Sequence, residues 1–550
     1  MKRALIRTGL LVQLLAPVAR SQDRAPALDS IRKDDLEADL YFLAGDSLRG
    51  RLTGTPEVRL SADWIESRFK RLGLLPAGGD SLVHRYNLTW STLANGNRMR
   101  ARSGAAVMDA RVLEDFMPLF FTPSGGAEAA VVYAGFGIRA PDLNWDDLAG
   151  PVAGKIVLML EGEPRPNDPK SPFDGVVTSV HSDPMRKALN AQARGAVGVL
   201  LVSASQRQGG SSRFAQEARG YWPDKPPHLK RYAITTWAEE LRIPVASVSP
   251  AFASFLLGSR DLAALAKQAE TPGTARIQPL DPVTVDFATR VTRHVIDDWN
   301  IVARIEGSDP VLKDEAVLVS AHYDHNGTDG TQMYNGADDN GSGTVGLLEI
   351  AEAYAAAARQ GSRPKRTVLF AAWGSEERCC GPLLGAWAWV RHPGWPLEKT
   401  TAVLNMDMIG RREEVPEGGG SRFRGLPIQT AASNANAVNV IGTTFSPDMK
   451  KAAITANRAV DMQLRFRYDN NPSNLLRRSD HWVFLQHGVP SVWFHTGLHP
   501  DYHTVFDRPE KIDYPKMERV ARLVYQASWD LANGPGRPAM LKPRPVPEPD

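Results

Sequence analysis

Four short apolar runs in the C-terminal half each end in acids or imidazoles, and that recurrence constrains the fold more than any other feature of the chain. Val317-Leu318-Val319 leads into Ala321-His322-Tyr323-Asp324-His325, and Val368 to Trp373 leads into Gly374-Ser375-Glu376-Glu377. Ala402 to Met406 ends at Asp407, and Ser491 to Phe494 leads to His495 and on to Tyr502-His503-Thr504. Runs this short, closely bounded by Gly and polar residues, read as buried strands. Thr344 to Ala358 has helical apolar spacing between the first two. Strand–helix alternation of this kind argues an α/β fold: a mostly parallel central sheet with helices on both faces. Open sheets of that class build their sites outside the carboxyl ends of the strands, where these acids and imidazoles fall.

His322 and Asp324 are two apart at a strand end, so both point to the same side. The turn Gly336-Ala337-Asp338-Asp339-Asn340-Gly341-Ser342-Gly343 adds two adjacent carboxylates. Taken singly, each element has a plain explanation: a hydrogen-bonded His/Asp pair, or an Asp N-cap before a helix. Together, imidazoles and carboxylates without thiolates suit a divalent metal, zinc foremost, with Co2+ or Mn2+ able to substitute.

The order His, Asp, Glu-Glu, Asp, His, carried by AHYDH (321–325), GADDNGSG (336–343), SEE (375–377), NMDM (405–408) and YHT (502–504), resembles the di-zinc exopeptidases, the family of bacterial leucyl aminopeptidases and plasma glutamate carboxypeptidase. The resemblance covers most of the chain from Asn300 to Tyr514. It implies two Zn2+ per chain, one held by His322 and Asp407, the other by Glu377 and His503, with Asp339 bridging. Such pairs sit ~3.5–4 Å apart around a shared water. Glu376 is then the general base, passing the water's proton to the leaving amine. Asp324 accepts a hydrogen bond from His322 and fixes its tautomer. Tyr502 either donates to the developing oxyanion or simply packs beside His503. Asp338 falls outside the ligand set, and His325, His495 and His499 are rim or core residues. Ser479-Asp480-His481 resembles a family element near the site, although an N-capped helix explains it equally. The resemblance also implies a cis peptide at Asp339–Asn340. After the paired glutamates, Arg378-Cys379-Cys380-Gly381-Pro382 departs from the family pattern.

The implied function is a secreted metallo-exopeptidase acting on peptide substrates, with aminopeptidase favoured. Ser491 to His503 contains no Lys or Arg to receive a substrate's terminal carboxylate. Arg477 and Arg478 lie just upstream and point in different directions. Carboxypeptidase or dipeptidase action, and a non-catalytic receptor on the same scaffold, are the alternatives. One-metal glutaminyl cyclase chemistry is disfavoured by the full pair of carboxylates.

At 550 residues two domains are a better prior than one. A net charge of +3 is too small to argue for nucleic acid, and with no dense basic run none is expected as a partner. Lys2, Arg3 and Arg7, the apolar stretch Gly9 to Val18 and Ala19-Arg20-Ser21 read as a secretory signal peptide over 1–21, which places the protein outside the cell or in a periplasm. That stretch is too short for a membrane anchor, and no anchor is expected after cleavage. Cys379 and Cys380 are the only cysteines and are adjacent, so a disulfide framework is excluded and free buried thiols are expected.

The remaining chain divides into a first part of the catalytic domain (22–125), a β-rich insert (126–282), the main catalytic part (283–534) and a disordered Pro-rich tail (535–550). Helices are expected over Ile31 to Ala44 and Ser61 to Leu75, around the turn-rich "GRLTGTPE". Arg51 there reads as structural or as part of the cleft rim. The insert's runs at Ala130 to Ile138, Val152 to Leu160 and Gly195 to Val202 resemble the protease-associated domain of secreted peptidases. Its expected role is a lid or spacer without a ligand, and its loop Pro164–Asp183 is the expected mobile part.

Overall fold

The computed structural model describes residues 24–202, 206–271, 277–377 and 383–542, with side chains described outside 203–212. The signal-peptide reading, Cys379 and Cys380, and the end of the tail at 543–550 lie outside the described residues.

Two large sheets organise the chain. At the centre of the first, Ala316–His322 pairs in parallel with both Thr367–Trp373 and Thr400–Met406, and Thr400–Met406 pairs in parallel with Ser491–His495. All four strands are buried along their length, as their unbroken apolar runs predict. Register aligns their carboxyl ends: His322 lies opposite Trp373, and Met406 opposite Phe494. The flanks are antiparallel, so the sheet is mixed. Val291–Ile305 pairs antiparallel with Thr367–Trp373 on one side and with Val83–Leu93 on the other.

Alternation along these strands divides the core into two layers. Val317, Val319 and Ala321 face a cluster with Leu348, Tyr354, Val520 and Tyr525. These come from the helices Gly343–Arg359 and Tyr514–Asn533. Ala316, Leu318 and Trp373 face the opposite cluster with Trp389 and Phe484, from the helices Leu384–Arg391 and His481–Gln486. Helices therefore cover both faces.

The second sheet has the strand order Ala106–Ala110, Arg98–Ser103, Gln278–Thr289, Gly125–Tyr133, Ile156–Leu160, Gly198–Val202, Val245–Val248, Phe116–Pro118. The second sheet thus draws strands from Arg98 to Thr289, beyond the 126–282 expected for the insert. The strands Arg98–Ser103 and Ala106–Ala110 escape a composition-based boundary because their outward positions are Arg, Asp and exposed Val, without a run of apolar residues.

Two other expectations change. The loop Pro164–Asp183 is pinned to the catalytic lobe: Val176 N and Thr178 N donate to the side-chain oxygens of Asn470 and Asn474 at 2.9 and 3.1 Å, and Phe173 and Val177 are buried. Its Pro- and Ser-rich composition reads as loose, but the buried side chains and outside partners hold it. The tail is also held as far as Leu541. Arg537 Nε donates to Glu315 at 2.8 Å, Ala539 N to Asp448 at 3.0 Å and Leu541 N to the Phe445 carbonyl at 2.9 Å. Among the described residues, no helix is long and apolar enough to cross a membrane.

Candidate metal centre

The aligned strand ends deliver His322, Glu376-Glu377 and Asp407 to one place. The turn Gly336–Gly343 and the loop after Ser491–His495 close over it from outside the sheet. Gly336 opens that turn at φ 58, and a Cβ there would lie 2.4 Å from the ring carbon Cγ of His325. Only glycine accepts both conditions. The Asp339–Asn340 peptide is cis.

The five residues expected as ligands meet around Asp339. Its Oδ1 lies 3.5 Å from His322 Nε2, and that nitrogen is 3.4 Å from Asp407 Oδ1. Its Oδ2 lies 2.9 Å from His503 Nε2, which is 3.1 Å from Glu377 Oε2. One carboxylate thus faces two separate pairs of donors. Asp407 Oδ1 and His503 Nε2 are buried without a hydrogen-bond partner among the described residues. Imidazole nitrogens and carboxylate oxygens that converge in this way fit divalent cations.

Electrostatics point the same way. Burial opposes charge on His322, but the carboxylates of Glu376 and Asp407 outweigh it and hold the imidazole well above its ordinary pKa. Desolvation opposes charge on His503 as well, yet Glu377 and Asp339 push it up to about 10. Burial works against ionisation of Glu377, and His503 and His325 overcome it, holding the carboxyl well below its ordinary range. Glu376 moves the other way. Burial raises it, His322 pulls it down, and the charges of Glu377, Asp407 and Asp480 leave it well above the carboxylate range. Without a cation, protons on imidazoles balance the acids; a cation would take their place.

Surrounding groups hold this arrangement. Ser479 Oγ donates to Asp407 Oδ2 at 2.6 Å and accepts from Asn405 Nδ2 at 2.7 Å, while Ser320 Oγ donates to Asn405 Oδ1 at 2.8 Å. Asp507 accepts the amides of Asp338 and Asp339 at 3.0 and 3.1 Å, tying the loop after His503 to the turn that carries Asp339. Arg51, fully buried, donates to the carbonyls of Leu43, Tyr323, Asn335 and Gly336. Asp338 accepts from Gly410 N at 2.6 Å and faces His499 at 3.3 Å, away from the donor pairs. His495 Nδ1 and Trp493 Nε1 both reach the Asp407 carbonyl, at 3.1 and 2.9 Å.

Two expectations are revised by this geometry, for Asp324 and Asp480, and two are narrowed, His325 to the core and Arg51 to a structural role. Asp324 lies 3.8 Å from His322 Nδ1, beyond hydrogen-bond distance; its oxygens instead accept the Glu376 and Glu377 amides at 2.8 and 3.4 Å. Its effect therefore runs through the backbone of the paired glutamates. His325 is no rim residue: fully buried, it sits 2.7 Å from Glu377 Oε1. Its place after an HxD pair is the signal that could have marked it. Asp480 occupies the helix N-cap but its side chain caps nothing. Buried, it is raised to about 8, with His322 and Asp407 as its strongest charged neighbours. Arg51 belongs to the interior, not the rim.

Tyr502 stacks on His503, with ring centroids 3.9 Å apart. Burial raises its hydroxyl well above the phenol range, with Asp339 and Glu377 adding to the shift and Arg478 opposing it. It stands beside the donor cluster. Asp507 escapes sequence reasoning because nothing in the chain marks which distant amides it reaches; Ser479 reads as part of an element near the site, but its partner Asp407 follows only from the fold.

Comparison with known proteins places this cluster in a family. Residues 300–528 match the model of Peptidase family M28. The aminopeptidase YwaD of Bacillus subtilis is 22% identical over 545 residues, covering 95% of this chain and 92% of that protein. The probable glutamate carboxypeptidase AMP1 of Arabidopsis thaliana is 26% identical over 409 residues, covering 70% of this chain and 51% of that protein. The chain also spans 62% of the length of the probable glutamate carboxypeptidase VP8 of Zea mays. The solved aminopeptidase from Aneurinibacillus sp. strain AM-1 aligns over 95% of this chain and 98% of its own, with a TM-score of 0.48 and 16% identity. Residues 300–528, which carry every acid and imidazole of the cluster from His322 to Asp507, therefore belong to peptidase family M28.

Proposed function

We propose that the protein is a secreted di-zinc exopeptidase that removes N-terminal residues from peptides. The observation that carries this reading is Asp339, whose two oxygens face separate pairs of donors, His322 with Asp407 and His503 with Glu377. His322 and Asp407 would hold one Zn2+, Glu377 and His503 the other, and Asp339 both. The ions would supply Lewis acidity toward the scissile carbonyl and lower the pKa of the attacking water.

The chain's own residues do the rest. Glu376 lies 3.8 Å from His322 and beside the ligand Glu377, and is 6% exposed, which leaves it open to a bound water. It takes the water's proton and returns it to the leaving amine. Its raised pKa in the cation-free cluster comes from neighbouring charges that two divalent ions would offset. Tyr502, in this reading, donates to the oxyanion as it develops. The inserted sheet is read as a protease-associated domain.

Aminopeptidase action is favoured over carboxypeptidase action because acids dominate the floor of the site and suit a substrate ammonium. Of the two arginines upstream, Arg477 turns away from the donor cluster, donating to the Thr178 carbonyl at 2.9 Å and lying over the Trp482 ring, whereas Arg478 acts on Tyr502 beside the cluster. A matched pair of peptides tests this: C-amidation should be tolerated and N-acetylation should block hydrolysis. The opposite pattern would establish a carboxypeptidase. Chelation should abolish hydrolysis, and undiminished activity in metal-free protein would end the di-zinc reading.

A further inference from the structure

A cavity of about 770 Å³ lies between the inserted segment and the catalytic lobe, and none of its lining residues belongs to the donor cluster. Phe120, Leu189 and Trp237 line it from the segment that carries the second sheet, and Leu384, Trp387 and Trp482 from the catalytic lobe. A volume of this order is typical of sites for small organic molecules.

Its polar groups are unevenly satisfied. The acids that line it are engaged. Asp183 caps its helix by accepting the Arg186 amide at 2.7 Å, Glu217 pairs with Arg213 at 2.9 Å, and Glu161 accepts from Ser247 Oγ at 3.2 Å. Two of the arginines have no such partner. Arg477 makes one bond to a carbonyl and lies over the Trp482 ring at 5.1 Å, with no acid in ion-pair contact among the described residues. Arg186, exposed on the helix Pro184–Ala193, forms no ion pair within them either. The Trp482 ring, 3% exposed, is packed into the wall beside Arg477. The cavity thus combines an aromatic wall with two cations that lack an ion-pair partner among the described residues.

We propose that this cavity binds an organic carboxylate with an apolar body, the carboxylate meeting Arg477 and the body lying against the aromatic wall. The site also backs onto the catalytic segment. Leu383 N, Leu384 N and Gly385 N donate to the carbonyls of Glu376, Ser375 and Gly374 at 3.0, 3.1 and 3.0 Å, so the occupant rests one helix away from Glu376.

The test is calorimetric titration of the full-length protein with decanoate, decanol and N-acetylphenylalanine. It reads binding directly and so stands or falls separately from the peptidase reading. Decanoate should bind saturably, one per chain, and decanol at least about tenfold more weakly, since a charge-assisted hydrogen bond contributes about 1.5–3 kcal/mol. Arg477→Gln should weaken decanoate by about tenfold. Because Arg477 also braces Thr178, Arg186→Gln at the exposed rim serves as a second variant, expected to weaken binding by about threefold. Competition by N-acetylphenylalanine would assign the site to amino-acid-derived acids, and its absence to aliphatic ones. Equal binding of decanoate and decanol, no saturable binding, or wild-type affinity in both variants would overturn the proposal.

Discussion

Arg51→Met removes one side chain and leaves four main-chain carbonyls without their donor. The guanidinium reaches Tyr323 O at 2.8 Å, Leu43 O at 2.8 Å, Asn335 O at 2.7 Å and Gly336 O at 2.9 Å, and the residue is 0% exposed. Burial lowers its pKa to about 10, with Asp324 and Asp507 opposing, so it stays charged at neutral pH. Each bond from a charged donor contributes roughly 1.5–3 kcal/mol, but bonds that share one group do not add. Breaking a buried charged network by removing one member typically costs about 3–5 kcal/mol. We expect a loss of about 4 kcal/mol, read as a lower denaturant midpoint at constant slope. Tyr323 precedes Asp324, and Asn335 and Gly336 open the turn that carries Asp339, so zinc content should fall along with stability. Arg51→Lys keeps the charge but cannot span four acceptors, and should recover no more than part of the loss. A midpoint shift worth less than about 1 kcal/mol, with full zinc content, would refute the idea that this one side chain holds the two segments together.

Three further outcomes are expected. Glu376→Gln should lower kcat by roughly two orders of magnitude while zinc content by elemental analysis stays intact; equal losses of both would make Glu376 a ligand and not a base. Ser479→Ala removes the donor to Asp407 Oδ2. It should weaken zinc about tenfold or more in competition with a chromogenic chelator, and unchanged affinity would show that packing alone orients Asp407. In the zinc-free protein His503 is raised from 6.5 to about 10. Its stabilising contribution is therefore complete below pH 6.5 and is lost as pH rises through about 10, whereas zinc affinity should rise over the same interval with proton release. Calorimetry in buffers of different ionisation enthalpy reads that release, and its absence would mean the imidazoles are already neutral.

How much of this was legible beforehand differs between the site and its supports. Strands at 316–322, 367–373, 400–406 and 491–495 follow from unbroken apolar runs, because a strand buried on both faces has no polar positions to confuse its reading. The residues gathered there could be named because strand ends in such a sheet open on one crevice, and because the order His, Asp, Glu-Glu, Asp, His resembles the di-zinc exopeptidases, which is what brought in Asp339, Tyr502 and His503. The chain thus determined which side chains meet: His322, Asp339, Glu376, Glu377, Asp407, Tyr502 and His503. Tertiary structure alone decided how they are held. That Arg51 turns inward onto three separate segments, that Asp507 reaches the amides of Asp338 and Asp339, and that Asp324 supports the paired glutamates through their backbone are contacts between residues far apart in sequence. The reach of the second sheet, the anchoring of the Pro164–Asp183 loop and the cavity beside Trp482 belong to the same class. Apolar periodicity reports which face of an element is buried, a local property of the chain. A hydrogen bond between distant segments depends on where two separately folded elements come to rest, and nothing local encodes that.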